Sequence, residues 1–406
     1  MITVAEALTI IKNNIPQPKT ENVELQDSTG RVLAEDIFAS HEYPSCNNSL
    51  MDGFAVHWKD VQNVSSTNPV CLKIIGESRA GVPFNGKLEN RKAVRISTGA
   101  MLPDGADTII PIEDCRISEN FISIFKANNI NQFVRFKGAE ISIGETIAHQ
   151  GTVLTAPLIG LIASVGFEKV TTYRKPNVAV IVTGNELVAV NSPVEKYQVR
   201  DSNRIMLSAA VKNYGGGVTN SFRIKDCVEN IYRIIKTSVK GNQLIIMSGG
   251  SSVGAFDFSK QAVKQSGFNL LFESVRQRPG KSFFCARKKE TLLFGLPGQP
   301  QAANQCFSFY IYPVIKKLSG KKFGWEKIWG RLSNDLVNKK SLTQFIPIQL
   351  ERVEKDFPNI IDLKKKALKL TENIIFSDGY IVLNEGRYLK KDELVEVFLF
   401  PDKEVL

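Results

Sequence analysis

A repeated alternation of apolar strand patterns and helical patterns between residues 178 and 318 constrains the fold of this chain most strongly. Strands that alternate with helices of this length are typical of a mainly parallel sheet with helices on both faces. The pattern therefore predicts a three-layer α/β domain. Its predicted strands cover 178–183, 218–224, 244–247, 270–275, 282–286 and 291–294, and its predicted helices cover 204–214, 226–239, 255–266 and 300–318.

The stretch 243–258, QLIIMSGGSSVGAFDF, carries the first candidate site. A strand, a glycine-rich turn and a helix N-terminus in succession present backbone N–H groups to an anion. Asp257, expected in the first turn of the helix, suits a hydrated cation better than a bare phosphate. The stretch predicts either a site for a phosphorylated ligand with a divalent metal or a plain tight turn. Its candidate phosphate-binding residues are Ser248, Gly249, Gly250, Ser252 and Gly254.

Three other turns follow predicted parallel strands of the same sheet. Glu186 comes after the first strand, Asp226 after the second, and Pro297 and Pro300 after the last. Ligands in open α/β sheets bind at the carboxyl ends of the strands. We therefore expect Glu186, Asp226 and Asp257 to converge on one rim of the sheet. Their carboxylates would lie beside the glycine-rich turn.

Two cations, Arg278 and Lys281, flank a Pro-Gly turn before the predicted hairpin of this sheet. Their spacing would allow them to grip an anion. A solvated basic turn explains the same residues without a ligand and is the preferred interpretation of the segment alone.

The first half of the chain has a different pattern. Residues 1–15 predict an amphipathic helix, in which Thr3 and Glu6 have the spacing of a capping box. From about residue 70 to 115, short strand patterns alternate with turns, which predicts an all-β module. Residues 155–168 predict another helix with Thr155 at its N-cap, and residues 320–406 return to strand patterns of a small β-domain.

Four polar residues of the first half are candidates for a site. Asp52 lies in a turn-rich segment before a strand, where it would bind a metal, orient a substrate or merely form an Asp-Gly turn. Thr98 belongs to a hydroxyl-bearing turn that would hold a phosphate or cap itself. Arg135 and Glu140 lie in a strand-and-turn segment with two glycines.

Bulk properties limit the class of protein. A length of 406 residues predicts roughly two to four domains. No apolar run approaches the length of a membrane span, and the N-terminus lacks the features of a signal peptide. The six cysteines show no CxxC spacing, which favours reduced thiols in a cytoplasmic protein over a zinc site. The net charge of +11 favours an anionic partner, but no nucleic-acid-binding motif is present.

With these turns in view, the chain resembles the molybdopterin molybdenumtransferases, the MoeA family that includes the gephyrin E-domain. Single motifs of this kind are weak, but six that match in order and spacing are specific. They are Asn48-Ser49-Leu50-Met51-Asp52-Gly53-Phe54-Ala55, Ser97-Thr98-Gly99-Ala100 with Pro103 and Gly105-Ala106-Asp107, Lys137-Gly138-Ala139-Glu140-Ile141, Thr183-Gly184-Asn185-Glu186-Leu187, residues 248–257, and Gly295-Leu296-Pro297-Gly298-Gln299-Pro300.

The resemblance implies a homodimer whose subunit has four domains. The α/β domain would comprise residues 1–20 and 170–320, a small segmented domain 21–44 and 141–169, an inserted β-domain 45–140, and a C-terminal β-barrel-like domain 321–406. It also implies the reaction, in which adenylylated molybdopterin and molybdate give molybdenum cofactor and AMP with Mg²⁺. A molybdopterin adenylyltransferase and molybdoenzyme-maturation proteins are the partners that the resemblance suggests.

Cleavage of a phosphoanhydride requires charge neutralisation and in-line positioning, and the resemblance implies residues for both. Asp226 and Asp257 would hold Mg²⁺ at the pyrophosphate. Glu186 and Asp52 would line the cleft around the dithiolene and the incoming oxyanion, with Asp52 contributed by the partner subunit. The remaining substrate-binding candidates are Thr98, Arg135 and Glu140 on the β-domain, the glycine-rich turn, Arg278 and Lys281 for molybdate or phosphate, and Pro297 and Pro300 at the pocket wall.

Several positions depart from the family pattern. Cys46-Asn47-Asn48-Ser49 stands where Phe-Asp-Asn-Ser is usual, Glu140 where Asp is commoner, Gln299 in place of Asn, and Ser282 in place of Pro. The chain is therefore a diverged enzyme or a paralogue with altered substrate handling. The alternatives are a gephyrin-like scaffold or cofactor carrier without full catalysis, and a nucleotide-pyrophosphate hydrolase or amidase that shares only the α/β domain. The sequence does not distinguish molybdenum from tungsten.

Overall fold

The computed structural model describes residues 1–249, 253–363, 376–401 and 403, with residues 253–257 described by their backbone alone. The chain divides into two units. Unit 1 comprises residues Met1–Glu21 and Thr171–Leu406, and unit 2 comprises Asn22–Val170. The finer division into four domains stays a prediction.

The helices of the described ranges are α1 (Val4–Asn13), α2 (Trp58–Val61), α3 (Ala156–Ser164), α4 (Ser202–Asn213), α5 (Val228–Ser238), α6 (Val253–Gln265), α7 (Pro300–Cys306) and α8 (Tyr312–Leu318). Short 3₁₀ turns cover Leu25–Asp27 and Ile112–Asp114, and a π-helical segment covers Phe307–Ile311. No helix in these ranges combines the length and the apolar character that crossing a membrane requires.

The strands are β1 (Thr20–Glu24), β2 (Ile37–Phe38), β3 (Asn48–Ser49), β4 (Gly53–Val56), β5 (Val70–Ser78), β6 (Lys92–Ile96), β7 (Thr108–Pro111), β8 (Cys115–Ser118), β9 (Phe121–Ile124), β10 (Val134–Arg135), β11 (Thr146–Ala148), β12 (Lys169–Tyr173), β13 (Asn177–Thr183), β14 (Leu187–Val188), β15 (Val199–Arg200), β16 (Gly217–Ile224), β17 (Leu244–Gly249), β18 (Asn269–Phe272), β19 (Gln277–Arg278), β20 (Phe284–Lys288), β21 (Thr291–Leu296), β22 (Lys327–Leu332), β23 (Leu336–Val337), β24 (Thr343–Glu351), β25 (Asn359–Asp362), β26 (Gly379–Leu383), β27 (Tyr388–Leu389) and β28 (Leu394–Leu399).

A six-stranded sheet in the order β16-β13-β17-β21-β20-β18 forms the centre of unit 1. The first four strands of this order run parallel to their neighbours, and β20 and β18 complete the sheet in antiparallel fashion. The predicted hairpin is β20 and β21. The prediction of a mainly parallel sheet is therefore confirmed.

Alternate residues of β13 enter two different cores, as the two-residue period of a strand requires. Val178, Val180 and Val182 pack with α1, α4, α7 and α8 on one face of the sheet. Ala179 and Ile181 pack with α5 and α6 on the other face. These strand residues are almost completely buried, which explains why the sequence here is continuously apolar. The arrangement is a three-layer α/β fold.

The predicted helix 300–318 is divided into α7, a π-helical segment and α8. Pro313 lies at the start of α8, where its missing N–H removes one hydrogen bond of a continuous α-helix. A local shift to π-helical pairing accommodates that loss. The helical region was therefore predicted correctly, but its interruption was not.

A closed β-barrel follows the α/β sheet in unit 1. Strands β24, β25, β22, β28 and β26 pair in that order, and β26 pairs again with β24 to close the ring. The inward-facing residues form one apolar cluster that includes Ile348, Ile360 and Val397. The short strand β19 pairs in parallel with β24. The predicted fold class, α/β plus β with a C-terminal β-barrel-like domain, is confirmed.

Unit 2 contains a six-stranded sheet in the order β7-β4-β6-β5-β9-β8, as the predicted all-β module requires. Gly53 at the start of β4 has no room for a side chain, because a Cβ there would lie 2.0 Å from the carbonyl oxygen of Ile110. A separate core forms around α3 and the pair β2 and β11. Thr155 precedes α3 as predicted, but its side chain makes no capping hydrogen bond in the structure.

Candidate functional site

The four parallel strands of the α/β sheet end at the same rim. Thr183, the last residue of β13, is in register with Ile224 of β16 and with Gly249 of β17. Ser248 of β17 is in register with Leu296 of β21. The sequence-predicted turns therefore follow four adjacent strand ends, where ligands of open α/β sheets bind.

Asp226 is held at this rim by the neighbouring strand. The Thr183 hydroxyl donates a short hydrogen bond to Oδ1 of Asp226. The backbone N–H of Asp226 donates to Oδ1 of Asn185 over 3.2 Å. Asp226 is half-buried, and its Oδ2 atom makes no hydrogen bond within the described part of the chain. A fixed carboxylate with one open oxygen is thus available at the strand ends.

Glu186 lies on the turn that follows β13. Its side chain is exposed, and its two carboxylate oxygens would lie 2.8 Å from a Cβ at Gly184. The carboxylate therefore folds back over the backbone of that glycine. The backbone carbonyl of Glu186 accepts a hydrogen bond of 2.9 Å from the N–H of Val199. Glu186 and Asp226 accordingly follow adjacent strands of one sheet.

Ser248 connects two of the predicted turns through a residue that the sequence analysis missed. Its hydroxyl donates to the carbonyl of Pro297 over 3.0 Å and accepts from Nδ2 of Asn203 over 2.9 Å. The same Nδ2 atom donates to the carbonyl of Gly298 over 2.7 Å. Asn203 is 6 % exposed and fixes the end of β17 to the turn before α7. The signal for it was an asparagine in the first turn of an amphipathic helix, which by itself indicates only a helix start.

Gly249 occupies a backbone conformation that only glycine adopts readily, with φ of +136°. A Cβ at this position would lie 1.9 Å from the carbonyl oxygen of Thr183. The close approach of β17 to β13 at the rim therefore requires glycine.

The rest of the glycine-rich turn is only partly described. Gly250 and Ser252 lie outside the described residues, and Gly254 and Asp257 are described by backbone alone. Helix α6 begins at Val253 in the described range, so Asp257 is its fifth residue. The expectation that Asp257 lies in the first turn was wrong, because the helix starts earlier than about residue 255. That the carboxylate of Asp257 binds a metal stays a prediction.

Arg278 and Lys281 are exposed, and neither pairs with a carboxylate in the described part of the chain. The buried side chain of Gln277 fixes the turn between them from its interior side. Nε2 of Gln277 donates to the carbonyl of Gly280 over 3.3 Å, and its Oε1 accepts from the hydroxyl of Tyr310. Burial raises the pKa of Tyr310, which keeps that hydroxyl a neutral donor.

Cys306 completes the support of this turn. Its Sγ lies 3.5 Å from Nε2 of Gln277 and would lie 2.4 Å from a Cβ at Gly280. Gly280 has φ of +89°, so both its conformation and its surroundings require glycine. Burial raises the pKa of the Cys306 thiol well above its usual value, so the sulfur is an inert packing atom.

In unit 2 the structure joins the four candidates of the first half in two hydrogen-bonded pairs. Oδ1 of Asp52 accepts from the N–H of Thr98 over 2.7 Å and from its hydroxyl over 3.1 Å. The Arg135 guanidinium pairs with Oε1 of Glu140 over 2.6 Å and donates to Oδ1 of Asn48 over 3.1 Å. All these side chains connect to the loop that contains Asn48 and Asp52.

Short strand pairing holds that loop in place. β3 pairs with β10, with Arg135 in register with Asn48. The N–H of Gly99 donates to the carbonyl of Ser49 over 2.8 Å, which places the hydroxyl-bearing turn against the same loop. Asp52 thus orders the Thr98 turn in the structure, while its second oxygen makes no protein hydrogen bond within the described residues.

At the sheet rim, the described residues offer one open carboxylate oxygen to a cation. Among the residues that the structure describes, no three carboxylates, histidines or cysteines form a group that could hold a metal. Mg²⁺ is usually bound through one or two carboxylates together with water and substrate phosphates. The open Oδ2 atom of Asp226 provides one such carboxylate oxygen.

Two family models match successive regions of the chain. Residues 2–166 match the family model described as MoeA N-terminal region (domain I and II), and residues 179–317 match the model described as probable molybdopterin binding domain. A molybdopterin molybdenumtransferase from Staphylococcus epidermidis is 34% identical over 328 residues, which are 80% of this chain and 78% of that protein. The chain belongs to the molybdopterin molybdenumtransferase family.

Two further members of the molybdopterin molybdenumtransferase family show the same level of similarity. The protein from Nostoc sp. is 34% identical and aligns with 81% of this chain and 77% of its own length. The protein from Bacillus subtilis is 34% identical over 78% of this chain and 74% of its own length. The expectation of an enzyme of this family, in molybdenum cofactor biosynthesis, is thereby confirmed.

A solved structure extends the similarity to the fold. The molybdopterin biosynthesis MoeA protein from Pyrococcus horikoshii is 29% identical, with a TM-score of 0.85 over 98% of this chain and 99% of that chain. A molybdenum cofactor biosynthesis protein from Pyrococcus furiosus, at 20% identity and a TM-score of 0.58, shares the fold.

Proposed function

We propose that the chain inserts molybdenum from molybdate into adenylylated molybdopterin and releases AMP in a Mg²⁺-dependent reaction. The observation that carries this proposal is the carboxylate of Asp226, held by Thr183 at four adjacent parallel strand ends within the region that matches a molybdopterin-binding domain. Hard oxygen ligands at such a rim suit a metal that neutralises a pyrophosphate.

The proposed roles of the residues follow from their chemistry. Asp226 and Asp257 would hold Mg²⁺, which would supply stabilisation of the charge that develops when the phosphoanhydride is cleaved. Ser248, Gly249 and the rest of the glycine-rich turn offer backbone donors to phosphate. Glu186 follows β13, the strand next to the one that Asp226 follows, and it would line the cleft around the dithiolene and the incoming oxyanion. Pro297 and Pro300, which lie before and at the start of α7, would form part of the pocket wall.

The incoming oxyanion requires positive charge. Arg278 and Lys281 are exposed, have no carboxylate partners in the described ranges, and flank a turn that buried groups fix in one conformation. A fixed turn that carries two free cations is suited to a tetrahedral dianion. We assign molybdate to this turn. Tungstate has nearly the same size and charge, so the two oxyanions should be compared in every assay.

In unit 2, Asp52 with Thr98 and Arg135 with Glu140 form the second part of the proposed site. We propose that the protein is a cytoplasmic homodimer and that Asp52 reaches the substrate bound by the partner subunit. A molybdopterin adenylyltransferase would supply the adenylylated substrate.

The test is AMP release from adenylylated molybdopterin with molybdate and Mg²⁺. Asp226→Asn keeps an oxygen that accepts from Thr183, so the fold should be preserved while metal binding is lost. We expect kcat to fall by about 100-fold or more. Removal of Mg²⁺ by a chelator should stop the wild-type reaction, and addition of Mg²⁺ should restore it.

The matched control is Asp356→Asn in the barrel, where a surface ion pair with Arg331 contributes little to stability or function. Its AMP release should equal that of the wild type. If folded wild-type protein binds adenylylated molybdopterin but releases no AMP with either oxyanion, the protein is a cofactor carrier or scaffold.

A further inference from the structure

A cavity of about 380 Å³ lies in unit 1 between α4, α7 and the barrel. None of the residues to which the site roles above are assigned lines it. Its volume is within the range of small-molecule sites, about 300–1,000 Å³. Three aromatic side chains border it: Tyr214 at the end of α4, Phe345 on β24 and Phe400 after β28. Apolar ring faces of this kind favour a flat, partly aromatic ligand.

The polar part of the lining consists mainly of carboxamides. Within the described chain, none of their side-chain amide groups bonds to another protein group. A carboxamide has two N–H donors and one carbonyl acceptor, and it therefore matches a ligand edge that also carries both. The four carboxamides belong to Asn213, Gln301, Asn304 and Gln305.

Gln305 distinguishes this cavity from an ordinary surface depression. The residue is 6 % exposed, and its Nε2 atom is buried with no hydrogen-bond partner among the described residues. A buried amide without a partner is destabilising, because it has given up its hydrogen bonds to water. Rotation about its terminal bond exchanges the nitrogen and the oxygen, so the amide can present either atom to the cavity. The amide of Gln305 therefore has a hydrogen-bonding capacity that no described protein group uses.

The position of the cavity indicates which part of the substrate it takes. Pro279, between the two cations Arg278 and Lys281, lines the cavity, and Gln301 lies one residue after Pro300 at the start of α7. The cations are assigned to molybdate, which must reach the dithiolene of molybdopterin. The pterin ring is attached at the dithiolene side of that molecule, whereas the adenine lies beyond the phosphates.

We propose that this cavity binds the pterin ring of molybdopterin, with Gln305 hydrogen-bonded to its lactam edge and Tyr214, Phe345 or Phe400 against its faces. The inference rests on the proposed function, because it uses the assignment of the cationic turn to the oxyanion. It adds a ring-binding subsite that none of the predicted site residues provides.

The probe is 6-hydroxymethylpterin, a neutral fluorescent pterin, titrated into the full-length protein and followed by calorimetry and fluorescence anisotropy. Gln305→Leu should weaken pterin binding by about tenfold or more, because one buried hydrogen bond is lost. Ala210→Phe, which fills the cavity from α4, should abolish it. AMP and adenosine should bind both variants as they bind the wild type.

Gln265→Leu, at an exposed glutamine at the end of α6, is the matched control and should bind pterin normally. The melting temperature of Gln305→Leu should stay equal to that of the wild type or rise, since an unpartnered polar group is removed. Wild-type protein that does not bind the pterin, unchanged pterin binding in both cavity variants, or loss of adenosine binding in place of pterin binding would each overturn the inference.

AMP release by the wild type, measured in parallel, separates this inference from the proposed function. If AMP is released while the cavity variants bind pterin normally, the reaction stands and the subsite is wrong. If pterin binding depends on Gln305 while no AMP is released, the subsite stands and the reaction is wrong.

Discussion

Single residues set the geometry of the strand ends. Gly249 brings β17 so close to β13 that a Cβ would lie 1.9 Å from the carbonyl oxygen of Thr183. The same threonine holds Asp226 through its hydroxyl. The absence of a side chain at this one glycine therefore permits β17 to approach the residue that holds a proposed metal ligand.

Gly249→Ala should destabilise the protein by about 2 kcal/mol or more and also lower AMP release, because the backbone of β13 must move. Gly241→Ala is the matched control. Gly241 also has positive φ, +88°, but a Cβ there would meet nothing within 4 Å. It should cost only the backbone strain, about 1 kcal/mol, and leave activity unchanged. Equal stability and activity of the two variants in denaturant melts and AMP assays would show that the close approach has no role.

A second contrast at this scale concerns two buried tyrosines. Tyr310 donates to Gln277 beneath the cationic turn, whereas the hydroxyl of the fully buried Tyr380 has no hydrogen-bond partner among the described residues. Only the Tyr310 hydroxyl therefore provides a hydrogen bond to another side chain of the described chain. Removal of the first leaves Oε1 of Gln277 without its donor.

Tyr310→Phe should loosen the turn that carries Arg278 and Lys281 and raise KM for molybdate about fivefold to tenfold, with kcat nearly unchanged. Tyr380→Phe should change neither constant. For each variant, kcat and the KM for molybdate are obtained by measuring AMP release at increasing molybdate concentrations. A purely structural role for Tyr310 would instead lower the melting temperature and the active fraction with an unaltered KM, and that result would refute the assignment.

Among the elements, α1 shows how far local sequence determines structure. The predicted capping box is present: the N–H of Glu6 donates to Oγ1 of Thr3 over 3.2 Å, and the N–H of Thr3 donates to Oε2 of Glu6 over 2.7 Å. The hydrogen bond from the backbone of Thr3 lowers the pKa of Glu6. The apolar face of the helix packs into the core of the α/β sheet through Val4, Ala7 and Ile11.

Thr3→Ala should lower the stability of unit 1 by about 1 kcal/mol, because an N-cap acceptor is lost. Thr9→Ala, in the same helix, removes only a hydroxyl that bonds to the carbonyl of Ala5. Since alanine has the higher helix propensity, Thr9→Ala should be neutral or stabilising. Urea midpoints of the two variants provide the test, and a Thr3→Ala midpoint at or above that of Thr9→Ala would contradict it.

The elements also show what the sequence could and could not predict. Strands, helices and the shared rim followed from local periodicity and from the rule for parallel strand ends. In β13, for example, residues 178–182 are all apolar because they alternate between two cores on opposite faces of the sheet. The barrel closure through β24 and β26 depends on contacts between distant segments, and no local pattern indicates them. The sequence analysis also missed the roles of Asn203 at the strand ends and of Gln277 beneath the turn at Gly280. Both roles depend on hydrogen bonds that no local pattern indicates. The start of α6 was placed too late because glycine and serine next to Val253 favoured a longer turn.

For the whole molecule, the departures from the family pattern fall on both units. In unit 2 the amide Oδ1 of Asn47 accepts from the N–H of Lys137 over 2.9 Å, and in unit 1 Ser282 follows the cationic turn. The loop around Asp52 and the turn around Arg278 are nevertheless both ordered by hydrogen bonds. Because the comparisons cover about four-fifths of the chain, divergence within the family is the better explanation than a shared domain alone.

The proposed dimer makes a prediction that only the assembled molecule can test. If Asp52 acts on substrate bound by the partner subunit, a dimer of one Asp52→Asn chain and one Asp226→Asn chain contains one site with both carboxylates and one site with neither. Random mixing makes half of the dimers mixed, so co-expression of the two inactive variants should restore about 25% of wild-type AMP release. Purified separately, neither variant should be active.

The mixed sample should also have twice the 45.1 kDa mass of one chain by light scattering. Arg135→Gln with Glu140→Gln provides a matched pair within one unit, and co-expression of those two variants should restore nothing, since both residues belong to the same loop system. If Asp52→Asn and Asp226→Asn together also remain inactive while the mass is that of a dimer, Asp52 serves the substrate of its own subunit.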